Sequence, residues 1–144
     1  MPYIDEHSTT IGATREQAWD ALIAVVRGLG RAVPDAIARP WGLVPARAHG
    51  DWRSTPEPGD CVPGFAVARS QAPQSLELRG RHRFSRYALV FEIDETGEEG
   101  CRLTARTHAE FPGLAGRAYR MLVIGSGGHR LVVRRLLRDV ATRA

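Results

Sequence analysis

Two histidines stand where imidazole chemistry would matter. In SLELRGRHRF, residues 75–84, alternate side chains divide into Leu76, Leu78, Gly80, His82 and Phe84 against Glu77, Arg79, Arg81 and Arg83. A strand with that split turns the first set to the core and the second to solvent, which makes His82 the odd member of an apolar face. His129 holds the same position near the C-terminus, seven residues after Leu122 and seven before Leu136. It falls on a stripe of Leu114, Ala118, Leu122, Gly125, Val132, Leu136 and Val140 that repeats at helical spacing. An imidazole titrating near pH 6.5 donates, accepts or shuttles a proton at neutral pH, so a pair turned toward one interior would act as acid and base or as polar handles for a ligand. Tyr87, at the start of the following strand, offers a third hydrogen bond. His7 joins them if Ile11, the last residue of the first strand, faces inward, and the sequence leaves that phase open. The competing reading is that each histidine is a hydrogen-bonded core residue.

Other chemistries are excluded more firmly. A catalytic triad needs a nucleophile and an orienting carboxylate, and the inward faces supply no nucleophile signal and no acid beyond Asp5. Nothing in the spacing of His7, His82 and His129 specifies a zinc site, so no metal and no cofactor are expected. Cys61 and Cys101 lie far apart without a CxxC spacing and read as small core residues. Every one of the 20 basic residues is Arg, which removes lysine Schiff-base and P-loop mechanisms. The GSGGH stretch has no strand leading into it and no Lys after it, and it reads as a kink that widens a cavity mouth. A net charge of +4, with Arg alternating with Asp and Glu along most of the chain, argues against a nucleic-acid partner. Arg130, Arg134 and Arg138, at four-residue intervals with Arg135 and Arg143 nearby, fit either the solvated back of a helix or an attraction to an anionic membrane.

Positioning these residues requires a compact chain. At 144 residues it has the length of one domain, taken as 1–144, able to bury roughly 70% of its unfolded surface. A hydrophobic content of 43% against 25% charged rules out a disordered polymer. No apolar run approaches the roughly 18 residues of a membrane helix, and MPYIDEHSTT lacks a signal-peptide pattern, so a cytoplasmic protein without an integral membrane segment is expected. Tyr3 to Ile11 reads as a strand. Thr14 and Gln17 make a capping box that opens a helix from Thr14 to Leu29, closed by Gly28 and Gly30. Six prolines break residues 31–63, where a short helix near Asp35 and an irregular strand are expected. Four antiparallel strands follow between residues 65 and 110, with Tyr87, Leu89, Phe91 and Ile93 inward on one, and Cys101, Leu103, Ala105, Thr107 and Ala109 inward on the next. His108 falls outward. A long final helix spans about Leu114 to Thr142, broken at GSGG.

This order of elements resembles the START and Bet v 1-like superfamily, also called SRPBCC or polyketide cyclase-like, over nearly the whole chain. The resemblance is carried by TTIGATREQAWDAL, PGDCVPGF, and GRHRFSRYALVFEI leading to FPGLAGRAYRMLVIGSGGH, the last two similar to a bacterial branch. It implies an α+β helix-grip fold: a curved antiparallel sheet of six or seven strands wrapped around a long C-terminal helix, with two short helices between the first two strands. It also implies a cavity for a small apolar molecule, and carries no shared catalytic motif. On this reading the ligand meets Leu78, His82, Phe84, Tyr87, Phe91, Thr107, Leu122 and His129, in a monomer or homodimer. A cofactor-free cyclase, dehydratase or hydrolase using His82 and His129 is the alternative, and a filled core is the competing structure.

Overall fold

A computed structural model describes residues 1–32, 41–46, 48–50, 52, 55–97, 100–124 and 127–144. Its strands are β1 (Tyr3–Ile11), β2 (Cys61–Val62), β3 (Phe65–Gln71), β4 (Ser75–His82), β5 (Ser85–Gly97) and β6 (Gly100–Glu110). The helices are α1 (Arg15–Ala32), α2 (Gly113–Val123) and α3 (Gly128–Arg143). All strand pairs are antiparallel, in the order β1-β6-β5-β4-β3-β2. The expected meander is thus present, and the first strand closes against the last. The short helix expected near Asp35 lies outside the described residues.

The capping box forms as its residues dictate. The Gln17 amide donates to Thr14 Oγ1 at 3.1 Å, and the Thr14 amide donates to Gln17 Oε1 at 3.0 Å. Helix α1 then runs through Gly28 and Gly30 to Ala32 rather than stopping at Leu29. Its Ala18, Trp19, Leu22, Ile23 and Val26 are buried against the inner face of the sheet and α3 in one contiguous core. On the outer face, Arg106 ties three strands together by meeting Glu6 at 2.9 Å and Glu92 at 2.7 Å.

The C-terminal segment departs from the expected stripe. It is two helices, and Gly127, with φ +79°, begins the second. The break resets the helical phase, so α3 buries Val133, Leu136, Leu137 and Val140. Leu114, Leu122 and Val132, expected inside, are exposed. In α2 only Gly116 is fully buried. A Cβ there would lie 2.6 Å from the Phe111 carbonyl carbon and 3.1 Å from the Phe84 carbonyl oxygen, so glycine is what lets α2 approach the sheet.

Candidate ligand cavity

The interior is solid at one end and hollow at the other. Leu76, Leu78, Ile93, Leu103 and Cys101 pack in the contiguous core with α1 and do not line the hollow. Toward the β4–β5 turn, the inner face of β5 and β6 separates from α2 and the start of α3 and leaves a cavity of about 280 Å³. Leu89, Phe91, Ala109, Phe111, Val123, Ile124, Val133 and Leu136 supply most of its walls. Among the described residues its polar lining is His82, Ser85, Tyr87, Thr107, Tyr119 and His129.

His129 is the most elaborated of these groups. A bulge between Tyr3 and Asp5 sets Asp5 opposite Thr107 in the β1–β6 ladder, so both side chains meet α3 from the inner face. His129 Nε2 lies 3.2 Å from Asp5 Oδ1 and 3.2 Å from Thr107 Oγ1. The other carboxylate oxygen, Asp5 Oδ2, is 3.2 Å from His7 Nε2. An ionised carboxylate only accepts, so Nε2 of each imidazole carries the proton and Nδ1 of neutral His129 is left as a base. That nitrogen has no partner among the described residues. His7 faces inward with Ile11, which resolves the phase of the first strand.

His82 is built differently. Strand β4 ends on it, and its pairing with Ser85 closes a two-residue turn of Arg83 and Phe84. The Phe84 amide donates to His82 Nδ1 at 3.1 Å, which leaves Nε2–H to donate to Ser85 Oγ at 3.0 Å. Both nitrogens are spent within the hairpin, and burial holds the imidazole below its ordinary pKa. The ring packs on Tyr119, 4.8 Å away between centroids. Tyr87 is committed too. Its hydroxyl donates to the Gly64 carbonyl at 2.7 Å, and burial raises its pKa further from neutrality. Burial likewise raises the Cys61 and Cys101 thiols, which keeps them protonated and unreactive.

Neither a protein-family model nor a curated protein sequence matches the chain. Solved structures do. Truncated norcoclaurine synthase from Thalictrum flavum aligns with a TM-score of 0.57 at 11% identity, over 99% of this chain and 94% of that one. A conserved protein from Geobacillus kaustophilus aligns at 0.52 and 16% identity, covering 95% and 91% of the two chains. CalU16 from Micromonospora echinospora gives 0.52 and 15%, covering 96% and 81%. This chain has the helix-grip fold of these structures.

Within the helix-grip fold, His82, Tyr87, Phe91, Thr107 and His129 line one cavity. Three other expected contacts do not. Leu78 is sealed in the solid half of the core. Phe84 leaves the strand alternation at the turn and stacks on Tyr119 at 5.5 Å, with Trp41 against its edge. Leu122 points away from the interior. Sequence reasoning missed Ser85, Tyr119 and the Asp5 bridge. Ser85 lies in phase with Tyr87, Leu89 and Phe91 and was missed because β5 starts two residues earlier than read, Tyr119 because α2 ends before GSGG instead of continuing the stripe, whereas Asp5 and His7 were detectable once the phase of β1 was known. Among the described residues no group of three His, Cys, Asp or Glu side chains is arranged to hold a metal ion.

Proposed function

We propose that the chain acts as one domain that binds a small, largely apolar molecule, lipid-like, polyketide-like or aromatic, between the sheet and α2–α3. The supporting observation is the apolar-walled cavity of about 280 Å³ between the sheet and α2–α3, partly open to solvent. Its size is at the low end of ligand pockets, roughly 300–1,000 Å³, which favours a one- or two-ring compound or a short acyl chain over a steroid. Thr107 and His129 orient the polar end of that ligand. An environment-sensitive apolar dye should bind inside and be displaced by one- and two-ring aromatics, with a matching rise in melting temperature. A cooperatively folded protein that takes up no dye would sink the proposal.

The Asp5–His129 contact favours a second reading, a cofactor-free acid–base enzyme of the cyclase, dehydratase or hydrolase type. Asp5 holds one imidazole nitrogen and leaves the other as the base, the division of labour that acid–base catalysis by histidine uses. Turnover of a bound compound that falls at least about tenfold in Asp5→Asn, with dye binding kept, would select this reading over simple binding.

A further inference from the structure

The outer faces of α2 and the first half of α3 are apolar where solvent would ordinarily demand polar side chains. Leu114, Met121 and Leu122 are 82%, 77% and 71% exposed, and Leu131 and Val132 are 71% and 66% exposed. On α2, Leu114 and Met121 lie opposite Gly116 and Tyr119, the side packed on the sheet, and Leu122 lies on the flank between, by their spacing along the helix. A solvated back face accounts for the arginines of this segment but not for large apolar residues set among them. The two helices converge at the cavity, because Val123 and Ile124 from the end of one and His129 and Val132 from the start of the other line it.

Charge selects the partner. Residues 111–138 contain six arginines, Arg117, Arg120, Arg130, Arg134, Arg135 and Arg138, and no Asp or Glu. Two copies of such a surface repel each other. An exposed apolar ridge flanked by cations matches an anionic lipid surface, in which the ridge enters the acyl boundary while the guanidinium groups remain among the phosphates.

We propose that the outer face of α2 and the start of α3 docks on anionic lipid bilayers, which sets the cavity mouth against the membrane. This docking requires no cavity ligand. The test is sedimentation of the intact chain with phosphatidylcholine vesicles, with and without phosphatidylglycerol. Partition at low salt should be at least about tenfold stronger on the anionic vesicles and should weaken as salt rises. The double substitution Met121→Asp and Leu122→Asp should abolish it while leaving the melting temperature and dye binding in place, because both side chains are exposed. Arg134→Gln with Arg135→Gln should remove the preference for anionic lipid. Equal partition on both vesicle types, or anionic binding that survives the double Asp substitution, would overturn the proposal. So would a wild-type dimer that the double Asp substitution makes monomeric with no vesicle binding in either form, since the ridge would then be a contact between copies of the chain.

Discussion

Replacing His82 by Phe takes away the acceptor for the Phe84 amide and the donor to Ser85 Oγ, two groups at a turn where water has limited access. The expected loss of stability is about 1–3 kcal/mol, with dye affinity in the surviving folded protein nearly unchanged. Its pH dependence has a definite sign. Burial lowers the His82 pKa in the folded state, so below the unfolded value near 6.5 the unfolded chain binds more protons. The stability this group contributes is present above that pH and lost as pH falls from it through the folded value. Melts should therefore show the Phe variant's deficit as largest near neutrality and shrinking in mild acid, and a deficit independent of pH would refute the assignment. His129→Phe should behave in the opposite way, with a smaller stability loss and dye or ligand affinity reduced by about tenfold, because Asp5 keeps His7 as a partner and the loss falls on the cavity. Strand alternation turned His82 inward, whereas the C-terminal stripe placed His129 only through Leu136 and Val140, its members within α3, since Leu122 and Val132 are exposed. Neither pattern carried information on which nitrogens were already engaged, since that depends on a turn without glycine or asparagine at Arg83–Phe84 and on a bulge at the start of β1.

Helices tell a similar story through their ends. The Thr14–Gln17 box was readable because capping is local chemistry, and Thr14→Ala should cost about 1 kcal/mol, measured as a lower melting temperature with dye binding kept. The C-terminal stripe was misread because a helical wheel drawn through GSGG assumes continuous phase, whereas α3 restarts at Gly127 and buries Val133 and Leu137 in place of Val132. Trp52 was unreadable for another reason. Surrounded by prolines and arginines, it is nonetheless buried, with its indole N–H donating to the Cys61 carbonyl at 3.0 Å and its own carbonyl accepting from Arg27 of α1. Gly116 carries the strongest test at this scale. A methyl group there meets backbone atoms that cannot turn aside, so Gly116→Ala should shift α2 as a unit and cost about 1–3 kcal/mol. Dye affinity should fall with it, because Tyr119, Val123 and Ile124 travel with the helix. Unaltered dye affinity would mean that α2 is not a wall of the binding site.

Across the whole molecule, the antiparallel meander and its closing contact with β1 place the inward side chains on one concave face, and alternation along the strands identifies most of them, Phe84 at the turn and Ala88 at the cavity being exceptions. Depth was not legible. Leu78 and Leu89 are direct partners in the β4–β5 ladder and carry the same side chain, yet the first is wholly buried in the solid half of the core while the second lines the cavity. The difference arises from what covers them across the sheet, which no pattern within a strand encodes. The pair therefore supplies an internally controlled test of whether the hollow half is a binding site. Leu89→Trp adds volume toward open space, so it should leave stability within about 1 kcal/mol of wild type while abolishing dye uptake. Leu78→Trp adds the same volume where Leu76, Val67 and their core neighbours already fill the space, and overpacking there should cost about 1–3 kcal/mol. Melting temperatures and dye titrations on both variants read the two quantities separately. Equal destabilisation at the two positions, or dye uptake undiminished by Leu89→Trp, would show that the dye binds elsewhere and that this end of the molecule is closed packing rather than a pocket.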